Sequence, residues 1–225
     1  MLTNLIRIYH ATRQYIAYTG WIIFERVLSI PMTLITTALL ARYLGPEQFG
    51  ILAYSISLVA IFSIAGQVGL SGLVVRELVR EPENKPIIMG TSFALKGIGY
   101  FIGFILLIVT AFLTESLNSP NFIVLVIVSF SLFFSAFDVI YYWFQSITSA
   151  RYISLSRILG NIFGSSAKIF FIFFSSNLIL FAIAHISQFF VTALFFVGFY
   201  ILKTGKNSIN WKFSMEKAKE LFSQS

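Results

Sequence analysis

The sequence predicts an all-α polytopic membrane protein with six transmembrane helices, and three observations carry that prediction. Hydrophobic residues make up 57% of the 225-residue chain, with 26 Phe, and the mean hydropathy is +0.85. Such a chain has too little polar surface to clothe a water-soluble fold. Six apolar stretches, roughly Trp21–Ala41, Phe49–Val75, Ile87–Leu113, Phe122–Phe144, Ile158–Phe174 and Leu178–Leu202, each approach the ~20 residues that cross a hydrocarbon core. The cations then alternate in side. Twelve of the 16 Lys and Arg lie on one side of the spans, namely Arg7, Arg13, Arg76, Arg80, Lys85, Arg151, Arg157, Lys203, Lys206, Lys212, Lys217 and Lys219. Only Arg42 lies on the other, so the positive-inside rule puts both termini in the cytoplasm.

The elements follow in order. Residues 2–18 hold Arg7, His10, Arg13 and Gln14 among apolar residues, which breaks the apolar run of a cleavable signal and suits an amphipathic helix on the inner leaflet. Pro31 removes a hydrogen bond from the first span and predicts a kink there, whose flexing would alter access to an interior cavity. Leu44-Gly45-Pro46-Glu47 then reads as a tight external hairpin: Gly45 ends one helix, Pro46 suits the first turn of the next, and Glu47 complements its dipole. The third and fourth spans are continuous apolar helices. Ile158 to Leu202 is one run of 45 residues, which as a single helix would extend about 68 Å and must therefore fold back, with Ser175-Ser176-Asn177 as the turn. Trp21, Tyr43, Tyr141 to Trp143 and Tyr200 fall at the expected interfaces. Residues 1–202 thus form a six-helix transmembrane lobe, and residues 203–225 an amphipathic cytoplasmic linker or tail.

Several chemistries are excluded. There is no Cys, hence no disulfide or thiolate metal site, and His10 and His185 are too few and too far apart for a metal site of their own. No Walker motif is present, so no ATP drive is encoded, and no cofactor is expected. The net charge of +7 belongs to short loops and a tail beside the spans, where anionic lipid headgroups rather than nucleic acid are the expected partner.

Each span carries a polar stripe at helical spacing. In the fourth, Ser131, Ser135, Asp138, Tyr142 and Gln145 share one face; in the fifth, Arg157, Asn161, Ser165 and Lys168 do. The others offer Glu25, Ser29, Thr33 and Thr36; Ser63, Gln67 and Ser71; Ser92, Lys96 and Tyr100; and His185, Gln188 and Thr192. Six such faces point to a hydrated interior, since lipid cannot satisfy these groups. The alternative is that small residues serve packing, as Gly99-x-x-x-Gly103 and Gly66-x-x-Gly69-x-x-Gly72 would. Charges inside spans are costly and mark function. The candidate cavity residues for substrate are therefore Arg26, Gln67, Lys96, Lys168, His185 and Gln188, and those for a coupling proton are Glu25 and Asp138. Three cations against two carboxylates make a slightly positive cavity, suited to a phosphate-bearing solute. Two bland readings stand beside this one: Asp138 neutralises Lys96 or Lys168 in a structural pair, and Arg26 snorkels to the headgroups.

The segments ARYLGPEQFG (Ala41 to Gly50), GLSGLVVRELVR (Gly69 to Arg80) and MGTSFALK (Met89 to Lys96) resemble the polysaccharide-unit flippases, the Wzx-type branch of the multidrug/oligosaccharidyl-lipid/polysaccharide exporter superfamily. The resemblance covers essentially the whole chain. It implies movement of undecaprenyl-diphosphate-linked oligosaccharide units across the bacterial cytoplasmic membrane by alternating access between two six-helix lobes, without an enzymatic step. The chain corresponds to the first lobe and the start of the linker, so the expectation is a truncated reading frame, a fragment of a longer protein or a half-transporter that dimerises, with a second lobe or a second copy as partner. Lipid-linked oligosaccharide and membrane lipids are the other partners implied. A drug or ion antiporter of the same superfamily is the alternative function, and a membrane glycosyltransferase or polymerase the alternative from another class; the aqueous loops lack the paired acidic residues the latter needs.

Overall fold

A computed structural model describes residues 2–67, 69–117, 119–174, 177–205 and 210–223, with side chains from residue 15 onward. Ser175, Ser176 and Lys206 of the sequence reading lie outside the described residues, as do the side chains of Arg7, His10, Arg13 and Gln14.

Among the described residues every regular element is helical. Helix α1 (Leu2–Phe62) is followed by α2 (Ile64–Gln67), α3 (Leu70–Arg80), a 3₁₀ turn (Pro82–Asn84), α4 (Lys85–Thr114), α5 (Pro120–Ser129), α6 (Ser131–Ser135), α7 (Asp138–Ser146), α8 (Ala150–Phe174), α9 (Leu178–Thr204) and α10 (Met215–Ser223). Among the described residues, five apolar segments are long enough to cross a membrane: Tyr15–Arg80, Pro82–Thr114, Pro120–Ser146, Ala150–Phe174 and Leu178–Thr204. The first of these makes two passages. At Gly45 the backbone leaves helical geometry (φ 72°, ψ 174°), a conformation that glycine adopts without the cost a Cβ would impose. One cavity is lined by Thr36 and Leu40 from before this bend and by Leu52 and Ser57 from after it. In an unbroken helix Thr36 and Ser57 would stand about 32 Å apart. Six membrane-crossing passages result, with Pro31 carried inside the first.

The turns gather at two ends. At one, Glu47, Gln48, Pro120, Asn177 and Leu178 surround a single depression, so the bend at Gly45, the start of α5 and the start of α9 lie together. Two of these turns are capped locally: Ser119 Oγ accepts from the Phe122 N–H (3.2 Å), and Asn177 Oδ1 from the Ile179 N–H (2.9 Å). At the other, called here the tail end, lie the 3₁₀ turn, residues 147–149 and Gly205. There Ser154 Oγ donates to the Trp21 carbonyl (2.9 Å), tying the start of α8 to α1.

Three features depart from the sequence reading. The second span, expected as one helix over Phe49–Val75, is interrupted after Gln67, and Gly69 sits in the left-handed region (φ 61°, ψ 2°) immediately before α3. The fourth, expected continuous over Phe122–Phe144, tightens between Phe130 and Phe137 into three-residue turns: Phe133 donates to Phe130 O (3.2 Å), Ala136 to Phe133 O (3.3 Å) and Phe137 to Phe134 O (3.2 Å). Serine hydroxyls compete for the local carbonyls, with Ser129 Oγ on Val126 O (2.6 Å) and Ser135 Oγ on Ser131 O (3.2 Å). The fifth span starts eight residues early, at Ala150 rather than Ile158, because the polar turns that end the apolar window remain good helix. Arg157, counted as a loop cation from the sequence, is therefore inside a helix, about 10 Å from its start.

The apolar core falls into two clusters. One, toward the Gly45 end, packs Leu44, Leu52, Leu107, Val124 and Phe181; the other, toward the tail end, packs Leu70, Met89, Val139, Phe144 and Tyr200. The glycine pair Gly99 and Gly103 lets α4 approach the end of α1: a Cβ on Gly103 would stand 2.6 Å from the Phe62 carbonyl oxygen.

The tail completes the second cluster, where the sequence reading laid it on the membrane surface. Residues 210–214 cross the start of α4, with Lys212 N–H on Pro86 O (3.0 Å), Ser214 N–H on Thr91 Oγ1 (3.0 Å) and Trp211 Nε1 on Tyr200 Oη (3.2 Å). Leu221 of α10 is 1% exposed within that core. Lys217 Nζ meets Glu77 Oε2 at 2.7 Å, Glu220 at 3.0 Å and Glu81 at 3.4 Å, and Glu77 is 1% exposed. Burial of Lys217 works against its charge, but the hydrogen bonds to Glu77 and Glu220 outweigh it and hold the ammonium above its ordinary pKa. Hydrogen bonding from Asn84, then the Lys217 charge, holds the Glu81 carboxyl below its ordinary value.

Candidate functional site

A cavity of about 360 Å³ opens inside the bundle between α1, the tightened fourth span, α8 and α9. Helix α1 contributes Glu25, Arg26 and Ser29; the fourth span contributes Phe134, Ser135 and Asp138; α8 contributes Arg157 and Asn161; and α9 contributes Gln188, Phe189, Thr192, Ala193 and Phe196. The sequence places these groups by simple periodicity. Glu25 and Ser29, Arg157 and Asn161, and Gln188 and Thr192 are each one helical turn apart and share a face.

Two packing devices hold the walls. Asn161 Nδ2 reaches the Ser29 carbonyl and Thr33 Oγ1, both at 3.4 Å, which fixes α8 against α1. Gly160 and Gly164 let α9 come close: a Cβ on Gly164 would stand 2.7 Å from the Gln188 Cβ, and one on Gly160 2.9 Å from the Gln188 carbonyl. Gln188 thus reaches the cavity because α8 offers it no side chain at these two positions.

The cavity holds two carboxylates and two guanidinium groups. Glu25 is 5% exposed, while Arg157 lies over the Tyr141 ring with Cζ 4.8 Å from its centroid. Among the described residues none of the four closes an ion pair. Each keeps its hydrogen-bonding capacity for water, a proton or a solute. Guanidinium forks match phosphate or carboxylate, and Asn161, Gln188 and the hydroxyls match sugar-like hydroxyl groups.

Of the residues singled out from sequence, Glu25, Arg26, Asp138 and Gln188 meet here. Lys96 does not. It is 1% exposed, donates to Tyr142 Oη (2.9 Å), and lies over the rings of Tyr142 and Tyr100 at 4.6 and 5.7 Å. Asp138 acts on it electrostatically without a direct pair. Lys168 lines a separate cavity of about 220 Å³ with Thr36, Thr37 and Ser57. Because α8 starts at Ala150, Lys168 is about 27 Å along it, toward the Gly45 end. His185 packs on Phe189 (5.3 Å between rings) within electrostatic reach of Lys168, and Gln67 is exposed at the break in the second span. The resulting balance in the cavity is even, not positive as three inward cations would make it.

Arg157 and Asn161 are the guanidinium and amide groups of the lining that the candidate set omits, together with the hydroxyls of Ser29, Ser135 and Thr192. The signal for Arg157 and Asn161 lies in the fifth-span stripe, where Arg157 stands one helical turn before Asn161.

A model of the family described as polysaccharide biosynthesis protein matches residues 16–225. No curated protein and no solved structure matches the chain.

Proposed function

Since the chain belongs to the polysaccharide biosynthesis protein family, we propose that it carries lipid-linked oligosaccharide units, of the undecaprenyl-diphosphate type, across the cytoplasmic membrane of a bacterium. It works as a transporter and not as an enzyme. The observation that carries this reading is the interior cavity, in which Arg26 and Arg157 face Glu25 and Asp138 with none of them paired. The diphosphate or an acidic sugar takes the guanidinium groups, Asn161 and Gln188 take sugar hydroxyls, and Glu25 or Asp138 carries a coupling proton. Lys168 serves as a second cationic station nearer the Gly45 end. With Arg157 placed inside α8, eleven flanking cations against one still favour the tail end and both termini on the cytoplasmic side. A second lobe, or a second copy of this lobe, closes the other side of the passage.

Complementation of a flippase-deficient strain, by the chain alone or with a matching second lobe, tests the reading. Arg157→Gln is expected to cut surface polysaccharide at least about tenfold, with Arg157→Lys intermediate because a point charge lacks the guanidinium fork. Full activity of Arg157→Gln would remove the cavity from the transport route. The even charge balance favours one second reading, antiport of an organic cation, in which the carboxylates hold the cargo. Loss of drug export in Asp138→Asn, with polysaccharide unchanged, would select it.

A further inference from the structure

At the tail end, a separate cavity of about 260 Å³ is bounded by the end of α3, the start of α4 and the end of α7. Its charge comes from Lys85, whose ammonium lies 4.1 Å from the Trp143 ring centroid and 4.6 Å from that of Tyr200. The two rings are themselves packed edge to face, 4.8 Å apart at 81°. Aromatic faces attract a cation but do not neutralise it. Among the described residues no carboxylate closes an ion pair with Lys85. Glu81, four residues earlier, is engaged by Lys217 (3.4 Å) and Asn84 (3.0 Å). One positive charge therefore stands at the cavity without a counter-ion from the protein.

Apart from Ser146, whose hydroxyl donates to the Trp143 carbonyl (2.8 Å), the rest of the wall is apolar. Leu78, Val79, Pro82 and Ile147 line it, and Val79 is 62% and Ile147 37% exposed on the outside of the bundle. A soluble phosphate would meet one charge and a hydrocarbon wall. An amphiphile with an anionic head and a greasy body would use both.

We propose that this cavity binds an anionic phospholipid of the cytoplasmic leaflet, its phosphate against Lys85 and its glycerol and upper acyl carbons along Leu78, Val79 and Ile147. The choice of leaflet rests on the orientation given under Proposed function; the choice of ligand does not. The bound lipid would pin the ends of α3, α4 and α7 together, where the tail also docks.

The test is lipid retention by the full chain purified in detergent, read by native mass spectrometry with dioleoyl-phosphatidylglycerol and dioleoyl-phosphatidylcholine as probes. Because it needs neither transport nor orientation, its failure is distinct from failure of the transport reading. Phosphatidylglycerol is expected to be retained over phosphatidylcholine, about fivefold or more less in Lys85→Gln, as in the wild type in Lys85→Arg, and unchanged in Lys203→Gln. Millimolar inorganic phosphate should not displace it. Should Lys85→Gln fail to fold, Val79→Trp, which fills the apolar wall from its exposed side, is expected to give the same loss. Equal retention of the two lipids, retention undiminished in Lys85→Gln or Val79→Trp, or displacement by inorganic phosphate would overturn the proposal.

Discussion

Replacing Lys217 by Met should undock α10 far more readily than replacing Glu77 by Gln, and the asymmetry follows from what each change leaves behind. Lys217→Met strands a carboxylate that is 1% exposed: Glu77 Oε1 accepts no hydrogen bond and lies 3.6 Å from Arg76, itself 58% exposed. An uncompensated buried charge of this kind costs about 3–5 kcal/mol. Glu77→Gln instead leaves Lys217 with Glu220 (3.0 Å) and Glu81 (3.4 Å), both at the surface, and the loss is closer to about 1–2 kcal/mol. The double change Lys217→Met with Glu77→Leu removes both charges from an apolar setting and should recover most of the loss. The chain has no Cys, so a single Ala218→Cys, at a position 5% exposed, reports undocking through its rate of reaction with a water-soluble thiol reagent. Lys217→Met should accelerate that reaction about 100-fold or more, Glu77→Gln roughly tenfold, and the double variant should fall back toward wild type. A Lys217→Met effect below about fivefold, or a double variant that labels as fast as Lys217→Met, would refute the argument that a buried ion pair holds the tail.

Four further outcomes are expected. In intact cells a Cys at Ser116 should label from outside while one at Ser149 does not; labelling of Ser149 alone would reverse the orientation. Within the bundle, Cys at Ser135 or Arg157 should react with a small polar reagent, whereas Cys at Lys96, Leu106 or Val126 should stay protected; uniform protection would argue against a hydrated cavity. Gly164→Val should drive α8 from α9 at Gln188 and cost about 1–3 kcal/mol, seen as a lower melting temperature in detergent with Gly97→Val, which meets nothing within 4 Å, as the control. The tail should stay docked between about pH 5 and pH 10: the lowered Glu81 pKa stabilises docking above its unfolded value and is lost as pH falls through the folded one, and the raised Lys217 pKa stabilises docking below its unfolded value and is lost as pH rises through the folded one. A docking midpoint near neutrality, in the same Ala218→Cys assay, would contradict both directions.

The helical class and the bend at Gly45 were legible because hydropathy and a Gly-Pro pair are local signals. Asp138, Glu25 and Gln188 were legible as one-face polar groups for the same reason. What escaped was tertiary. Arg157 was read as a loop residue because a hydropathy window ends where the polar turns begin, although the helix runs on to Ala150. Lys96 reads as a cavity cation, but the oxygen that accepts its hydrogen bond, Tyr142 Oη, lies 46 residues away and no periodicity names it. The interruptions at Gly69 and at Phe130 to Phe137 were hidden inside uninterrupted apolar runs, where hydropathy cannot distinguish an α turn from a tighter one. The docking of α10 depends on Glu77, whose partner Lys217 is too distant in sequence for any local pattern to pair them.

The clasp between Lys217 and Glu77 joins residues 140 apart, and that separation sets an order on biosynthesis. A ribosome has released the second and third spans into the membrane long before it makes Trp211, Lys217 or Leu221. Until then the groove over Pro86 and Gly90 stays open, Glu77 has no lysine, and the apolar cluster around Met89 lacks its last member. Nascent chains arrested before this segment should therefore expose a sticky, acidic face at the tail end, recognisable by chaperones or membrane proteases. Quality control could in this way read completion of the lobe from one short stretch of sequence, without inspecting the hydrocarbon-embedded helices at all.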